Sequence, residues 1–222
     1  FSSDGQWVLS GSHDGQAKIW NVAGYQEVRI VQAQILEGHR DAVLFASFSR
    51  DGEKIVTASR DRTARTWDFR SGEMIHSLQE GHQFLASRAV FFPNGKKVVT
   101  GALDNTTRIW ETGTGTQLLR LPDTGAAAAI ALSHNAKWLL TGSDANTAKL
   151  WDANTGELIR TFEGHTADVT SVAFSQDDQV VFTGDQNGRG RLWDAETGKM
   201  SVRLVGHSRG ITAARFSLDG RT

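Results

Sequence analysis

A tryptophan returns about every 42 residues along this 222-residue chain, at Trp20, Trp67, Trp110, Trp151 and Trp193. An acidic or amide residue follows each one: Asn21, Asp68, Glu111, Asp152 and Asp194. A Gly-His pair recurs at Gly38-His39, Gly81-His82, Gly164-His165 and Gly206-His207. A Phe-Ser-x-Asp-Gly turn stands at Phe1 to Gly5, Phe48 to Gly52 and Phe216 to Gly220. Degenerate copies stand at Phe91 to Gly95, Leu132 to Ala136 and Phe174 to Asp178. A fixed period of this length marks an array of like supersecondary units that bury their apolar faces only by stacking. A motif present five times also reads as architecture rather than as one active site.

The best-formed copy shows what the unit is. Val169 to Phe174 alternates apolar and polar residues, the period of a half-buried strand. Ser175 to Asp178 is a polar turn, and Val180 to Gly184 is a second, more apolar strand. Gln186-Asn187-Gly188 provides a tight turn, because Asn and Gly tolerate positive φ. Arg191 to Asp194 and Met200 to Leu204 complete four short antiparallel strands, with no helical pattern between them. The 23 glycines and 2 prolines fit frequent tight turns and no proline-rich linker.

The order Gly-His, Phe-Ser-x-Asp-Gly, Ser/Thr-Gly, Asp, Trp-Asp resembles the WD-repeat β-propeller family over essentially the whole chain. That resemblance implies an all-β propeller of four-stranded antiparallel blades. Five units are present, spanning approximately 1–37, 38–80, 81–121, 122–163 and 164–205, and 206–222 starts the next unit or closes the first blade. The first blade lacks its opening strand, which Ile211 to Ser217 could supply by closing a five-bladed ring. The alternative is an arc of a larger ring, with seven blades or more. The overlap of the two terminal turns favours the arc and a parent protein longer than this chain.

Aligned on tryptophan, a hydroxyl always stands ten residues earlier: Ser10, Thr57, Thr100, Thr141 and Thr183. Six residues earlier stand Asp14, Asp61, Asp104, Ala145 and Asn187. Nine residues before each turn motif from the second onward stand His39, His82, Asp123, His165 and His207. The resemblance implies a buried chain in which Asp accepts from His, His meets the hydroxyl, and the hydroxyl meets the indole N–H of Trp20, Trp67, Trp110, Trp151 or Trp193. The chemistry is sound, since a buried indole N–H needs an acceptor and a hydroxyl can accept there and donate onward. The first network requires His207 to reach Ser10 and Asp14. The fourth, with Asp123 and Ala145, is broken, and its Ala126 to Ala129 run lacks branched side chains, so this blade is expected to be the least stable. The fifth keeps His165 but has the weaker acceptor Asn187.

Ser, His and Asp are also the parts of a hydrolase triad. Five triads in one chain would be redundant, Thr replaces Ser in four copies, and no Gly-x-Ser-x-Gly elbow is present. The catalytic alternative is confined to Ser10, Asp14 and His207; the reading adopted has no catalytic, cofactor-binding or metal-binding residue. Formal charge is −1, which gives no global field for nucleic acid or membrane. The chain has no cysteine, so disulfides and thiolate sites are excluded. No apolar run reaches membrane-spanning length and no signal peptide is visible; the location stays open, with the cytoplasm the expectation, because targeting signals of a longer protein would lie outside this chain.

Function is expected on the rim that carries the His loops and Asp turns, where residues do not repeat. Candidates are Arg40, Asp41, Arg60, Arg62, Phe84, Leu103, Asp144, Asn146, Gln186, Arg189 and Arg209. Arg and aromatic residues are enriched at protein interfaces. The sequence therefore predicts a non-catalytic scaffold for protein–protein interaction, with protein or peptide partners, acidic or phosphorylated, and no small-molecule substrate. A nucleic-acid-binding propeller using Arg40, Arg60 and Arg62 is the further alternative. The Lys18, Arg65, Arg108, Lys149 and Arg191 series, two residues before each Trp, is expected to lay its stems over neighbouring strands instead. The insertion at Tyr25 to Leu36 is expected to be a longer loop; the alternative is a longer outer strand in the first blade, whose edge would be open to strand addition.

Overall fold

A computed structural model describes residues 1–24, 33–78, 82–122, 124–126 and 129–217. These residues form nineteen strands and no helix. Four sheets have four antiparallel strands each and the first has three. Sheet one holds β1 (Trp7–Gly11), β2 (Ala17–Asn21) and β3 (Ala33–Leu36). Sheet two holds β4 (Val43–Phe48), β5 (Lys54–Ser59), β6 (Ala64–Asp68) and β7 (Met74–Leu78). Sheet three holds β8 (Ala86–Phe91), β9 (Lys97–Ala102), β10 (Thr107–Glu111) and β11 (Gln117–Leu121). Sheet four holds β12 (Ala129–Leu132), β13 (Trp138–Gly142), β14 (Ala148–Asp152) and β15 (Leu158–Phe162). Sheet five holds β16 (Val169–Phe174), β17 (Val180–Asp185), β18 (Gly190–Asp194) and β19 (Met200–Leu204).

Within each sheet, strands join in sequence order, as short turns between antiparallel neighbours require. The second strand is buried on both faces in sheets two to five, and its run is correspondingly apolar. The ladder slips by one residue just ahead of Trp67, Trp151 and Trp193. Such a bulge bends the strand and re-aims the side chain that follows.

Compactness divides the chain into two units, Phe1–Asp104 with Arg108–Leu118, and Asn105–Thr107 with Leu119–Thr222. The first unit has two apolar clusters. One gathers Ala17, Ile19 and Leu36 of sheet one with Val43, Ile55 and Trp67 of sheet two. The other gathers Val56, Ala58, Ala64 and Leu78 of sheet two with Ala86, Phe91, Val98 and Trp110 of sheet three. The second unit packs Leu140, Leu150 and Phe162 of sheet four against Val169, Val181 and Trp193 of sheet five. Each cluster thus unites two successive sheets, as a unit too thin to bury both its own faces requires.

Ile211 to Ser217 forms no strand, and among the described residues sheet one has three strands. Ile211 is held on sheet five instead: its N–H donates to the Asp185 carbonyl at 3.0 Å, and its own carbonyl accepts from Thr170 Oγ1 at 2.7 Å. The same backbone bond opens sheets two and five, from Val43 N to Ser12 O and from Val169 N to Ser143 O, each 2.9 Å. Ile211 therefore occupies the place where a next sheet would begin. Of the Tyr25 to Leu36 insertion, only β3 falls among the described residues. Asp123, Gly81 and the last turn motif beyond Ser217 also lie outside them.

Candidate functional site

Two sets of residues bear on function: buried hydrogen-bond chains, and the exposed loop residues that the sequence predicts as a partner-binding rim. In sheet two, Thr57 on β5 and Trp67 on β6 face the same side, because Thr57 pairs with Arg65 and Trp67 lies two residues on. The indole N–H of Trp67 donates to Thr57 Oγ1 at 2.9 Å. Thr57 Oγ1 lies 2.7 Å from His39 Nε2, and His39 Nδ1 lies 2.8 Å from Asp61 Oδ2. One proton assignment satisfies every atom: Nδ1–H donates to Asp61, and Nε2 accepts from the threonine hydroxyl, which accepts from the indole. Asp61 also accepts from Arg40 N at 3.0 Å and from Thr63 Oγ1 at 2.6 Å.

Sheet three repeats this with Trp110 to Thr100 at 2.8 Å, Thr100 to His82 at 2.8 Å and His82 to Asp104 at 3.0 Å. Sheet five does so with Trp193 to Thr183 at 2.8 Å and Thr183 to His165 at 2.7 Å. There the carboxylate is Asp185, 2.8 Å from His165 Nδ1, and not a group at position 187. Asn187 contributes only its backbone N–H, which donates to Asp185 Oδ1 at 3.0 Å. Asp185 occupies the ladder position of Ser59, opposite Val169 as Ser59 is opposite Val43. The weak-acceptor expectation for the fifth network is thus corrected: a full carboxylate closes it, two residues earlier in the chain. The acid in Thr183-Gly184-Asp185, where sheet two has Thr57-Ala58-Ser59, is the sequence signal for it.

Fewer links of the other two networks fall among the described residues of one unit. Trp151 donates to Thr141 at 3.0 Å. Ala145 brings no side-chain acceptor, and Asp144 takes over part of the task by accepting from Ala126 N at 3.2 Å. Trp20 donates to Ser10 at 2.9 Å. Asp14 accepts from Gln16 N at 2.9 Å within its own turn. His207 lies in the second unit, where its carbonyl comes close to the Gly188 turn.

Burial sets the charge states. It pushes the Asp61 carboxyl up, but the bonds from His39, Thr63 and Arg40 outweigh this and hold it far below the usual carboxylate range. Asp185 is likewise pushed up by burial and held low by the Arg189 N–H and His165. Burial pushes His82 and His165 down, against the pull of Asp104 and Asp185. This favours the neutral form of His82 and His165, in which Nε2 can accept from threonine.

Four members of the basic series two residues before each Trp fold back on the sheets. The Arg65 guanidinium packs on Gly38 and lies 3.9 Å from Asp61. Arg191 donates to the Gly164 carbonyl and stands 5.9 Å from the Trp193 ring centre. Lys149 stands 5.8 Å from the Trp151 ring centre, and Arg108 bonds Gln117.

Of the predicted rim residues, Arg40, Asp41, Arg60, Arg62, Phe84 and Leu103 are all exposed and all belong to the first unit. Phe84 is 60% and Leu103 43% exposed. Among the described residues, Arg40, Arg60 and Arg62 have no carboxylate within ion-pair distance. Asp144, Gln186, Arg189 and Arg209 are exposed in the second unit. Asn146 is half-buried, with φ at 60°. Gln186 donates to Asp168 at 2.9 Å and Arg189 to Thr166 at 3.1 Å, so both are already engaged.

The sequence reading missed a link at the opposite end of the sheets. Asp178, at φ 60° where other turns carry glycine, accepts from His134 N at 2.8 Å, His134 Nδ1 at 3.0 Å and Asn135 N at 3.0 Å. It ties the β16–β17 turn to the β12–β13 turn.

Repeated four-stranded sheets, each closed by a Trp–hydroxyl bond and three by a full Trp–Thr–His–Asp chain, define a WD-type blade array. The chain belongs to the WD domain, G-beta repeat family, whose model matches residues 1–21, 30–68, 72–111, 116–152 and 156–194. It is similar to Periodic tryptophan protein 2 of Saccharomyces cerevisiae, 42% identical over 69 residues, which are 31% of this chain and 7% of that protein. It is also similar to the U5 small nuclear ribonucleoprotein 40 kDa protein of Dictyostelium discoideum, 32% identical over 80 residues, 36% of this chain and 21% of that one. Polycomb protein esc of Drosophila melanogaster is 32% identical over 74 residues, 33% of this chain and 17% of esc. The matched segments thus span between 7% and 21% of these relatives' own length. WD-repeat relatives of this kind support a general role as a protein-interaction scaffold.

Proposed function

We propose that this chain is a non-catalytic scaffold that captures an acidic or phosphorylated segment of a partner protein on its rim. The observation that carries this reading is the trio Arg40, Arg60 and Arg62, exposed and without carboxylate partners among the described residues, in the same unit as exposed Phe84 and Leu103. Guanidinium groups pair carboxylate and phosphate oxygens in bidentate geometry. Phe84 and Leu103 would take an apolar side chain of the same segment. A non-catalytic role agrees with the bonding of Thr57, Thr100 and Thr183, each of which accepts from an indole and donates to an imidazole.

The test is fluorescence polarisation against a panel of acidic, phosphorylated and neutral peptides. Acidic or phosphorylated peptides should bind selectively, and the doubly reversed Arg60→Glu, Arg62→Glu protein should lose that binding with its thermal midpoint unchanged. Equal binding of neutral peptides, or retained binding after charge reversal, rejects the reading.

A further inference from the structure

Three arginines meet on one side of sheet five. Arg191 on β18 pairs directly with Arg203 on β19, so the two side chains share a face of the ladder. Arg189 stands two residues before Arg191, the spacing that returns to the same face. That face is turned to the connection between β15 and β16. Arg191 donates to the Gly164 carbonyl there, and Arg189 donates to Thr166 Oγ1 at 3.1 Å. A groove of about 380 Å³ opens beside them, lined by Arg189, Gly190, Arg191, Arg203, Leu204 and Val205. All of these residues belong to the second unit.

Two of the three charges depart from the repeat. The residue opposite the basic series is Ser77 in sheet two and Thr161 in sheet four, and in sheet five it is Arg203. Four residues before Trp, sheets two to four carry Thr63, Thr106 and Thr147, and sheet five carries Arg189. Sheet two balances its guanidinium, since Asp61 lies 3.9 Å from Arg65. At the position of Asp61, sheet five has the neutral Asn187. Its own acid, Asp185, is withdrawn into the buried bond with His165. Among the described residues no carboxylate lies within ion-pair distance of Arg189, Arg191 or Arg203. Burial, and then the charge of Arg203, push the Arg191 guanidinium below its ordinary value; Arg189 adds to this and Asp185 opposes it. Like charges placed directly opposite one another destabilise a ladder, and an anion in the groove would relieve all three.

We propose that Arg189, Arg191 and Arg203 form a receptor for one phosphate group, either inorganic phosphate or a phosphorylated side chain of a partner protein. A guanidinium presents its N–H groups in a planar fork that matches phosphate oxygens. A phosphate monoester brings nearly two negative charges and three strong acceptor oxygens, one for each arginine, where a carboxylate brings one charge and two oxygens. The site is independent of Arg40, Arg60 and Arg62, which belong to the first unit.

Isothermal titration calorimetry of the chain with inorganic phosphate, at fixed ionic strength, tests it. One-site, saturable binding is expected. Arg189→Thr and Arg203→Thr, the residues other sheets carry, should each weaken it about tenfold, as loss of one charge-assisted pair does. The doubly substituted protein should keep or raise its thermal midpoint, because like-charge repulsion is relieved, and this shows that it is folded. The Arg60→Glu, Arg62→Glu protein should bind phosphate as the wild type does. That protein is then titrated with a phosphoserine peptide, so that the first unit's arginines do not contribute. Tighter binding of the peptide than of phosphate makes a phosphoprotein the source of the ligand, and equal or weaker binding makes it the free anion. Absence of saturable binding of both ligands overturns the proposal. So does undiminished binding by the doubly substituted protein, or loss of phosphate binding in the Arg60→Glu, Arg62→Glu protein.

Discussion

His165 Nδ1 stands 2.8 Å from Asp185 Oδ2 across a span of 20 residues, where His39 and His82 reach their carboxylates across 22. The acceptor sits at the end of β17 rather than in the turn beyond it, and its other oxygen takes the N–H groups of Asn187 and Arg189, each at 3.0 Å. One carboxylate therefore holds both the histidine loop and the tight turn of sheet five.

Asp185→Ala should lower stability by about 2–4 kcal/mol, since it leaves His165 and two backbone N–H groups without their acceptor in a buried site. Asn187→Ala should change it by less than about 0.5 kcal/mol, because its side chain is exposed. Urea midpoints of the two variants check this, and equal losses would place the network elsewhere.

Stability should fall on mild acidification. His82 and His165 have folded-state pKa values below the ordinary 6.5, so below that pH the unfolded chain binds protons that the folded chain does not. Their contribution is complete above pH 6.5 and is lost as pH falls towards their folded values. Asp61 and Asp185 lie below the ordinary 3.8, and their contribution is lost only as pH falls below about 4. Urea midpoints should therefore drop first below neutrality and again in strong acid, and His82→Gln should flatten the first drop.

Sheet four should open before sheet two. Its first strand, Ala129–Leu132, has four residues where Val43–Phe48 has six, and Ala145 supplies no acceptor. Amides of β12 should exchange about tenfold faster than those of β4, the ratio that corresponds to about 1.4 kcal/mol of local stability. Thr57→Val should also cost more than Thr141→Val, because Thr57 serves both an indole and an imidazole. Slower exchange in sheet four would contradict this account.

The Asp178 link separates backbone strain from bonding. Asp178→Gly relieves a positive φ but removes the acceptor for three donors of His134 and Asn135. A net loss of about 1–2 kcal/mol is expected, with bonding outweighing relief. A more stable glycine variant would show that the link contributes less than the strain it requires.

Local rules carried much of this molecule. Alternation in Val169 to Phe174, the Gln186-Asn187-Gly188 turn and the recurrence of Trp are short-range signals, and they predict strands that the structure places within a residue or so. The Trp–hydroxyl spacing of ten was equally legible, because both residues lie on adjacent strands of one hairpin. Asp185 was obscured by counting positions from Trp193, since a side chain two residues away can reach the same imidazole once the turn is folded. Asp178 was obscured because its partners are more than 40 residues distant and belong to another sheet.

By itself the sequence determined the repeat, the strand order within each unit and the hydroxyl that receives each indole N–H, because all three depend on spacings inside one hairpin. Tertiary structure alone decided that Asp185 completes the fifth chain, that Ile211 is held on sheet five, and that Asp178 binds the turn of another sheet. Those outcomes depend on contacts between sheets, where the identity of a residue does not reveal what stands opposite it.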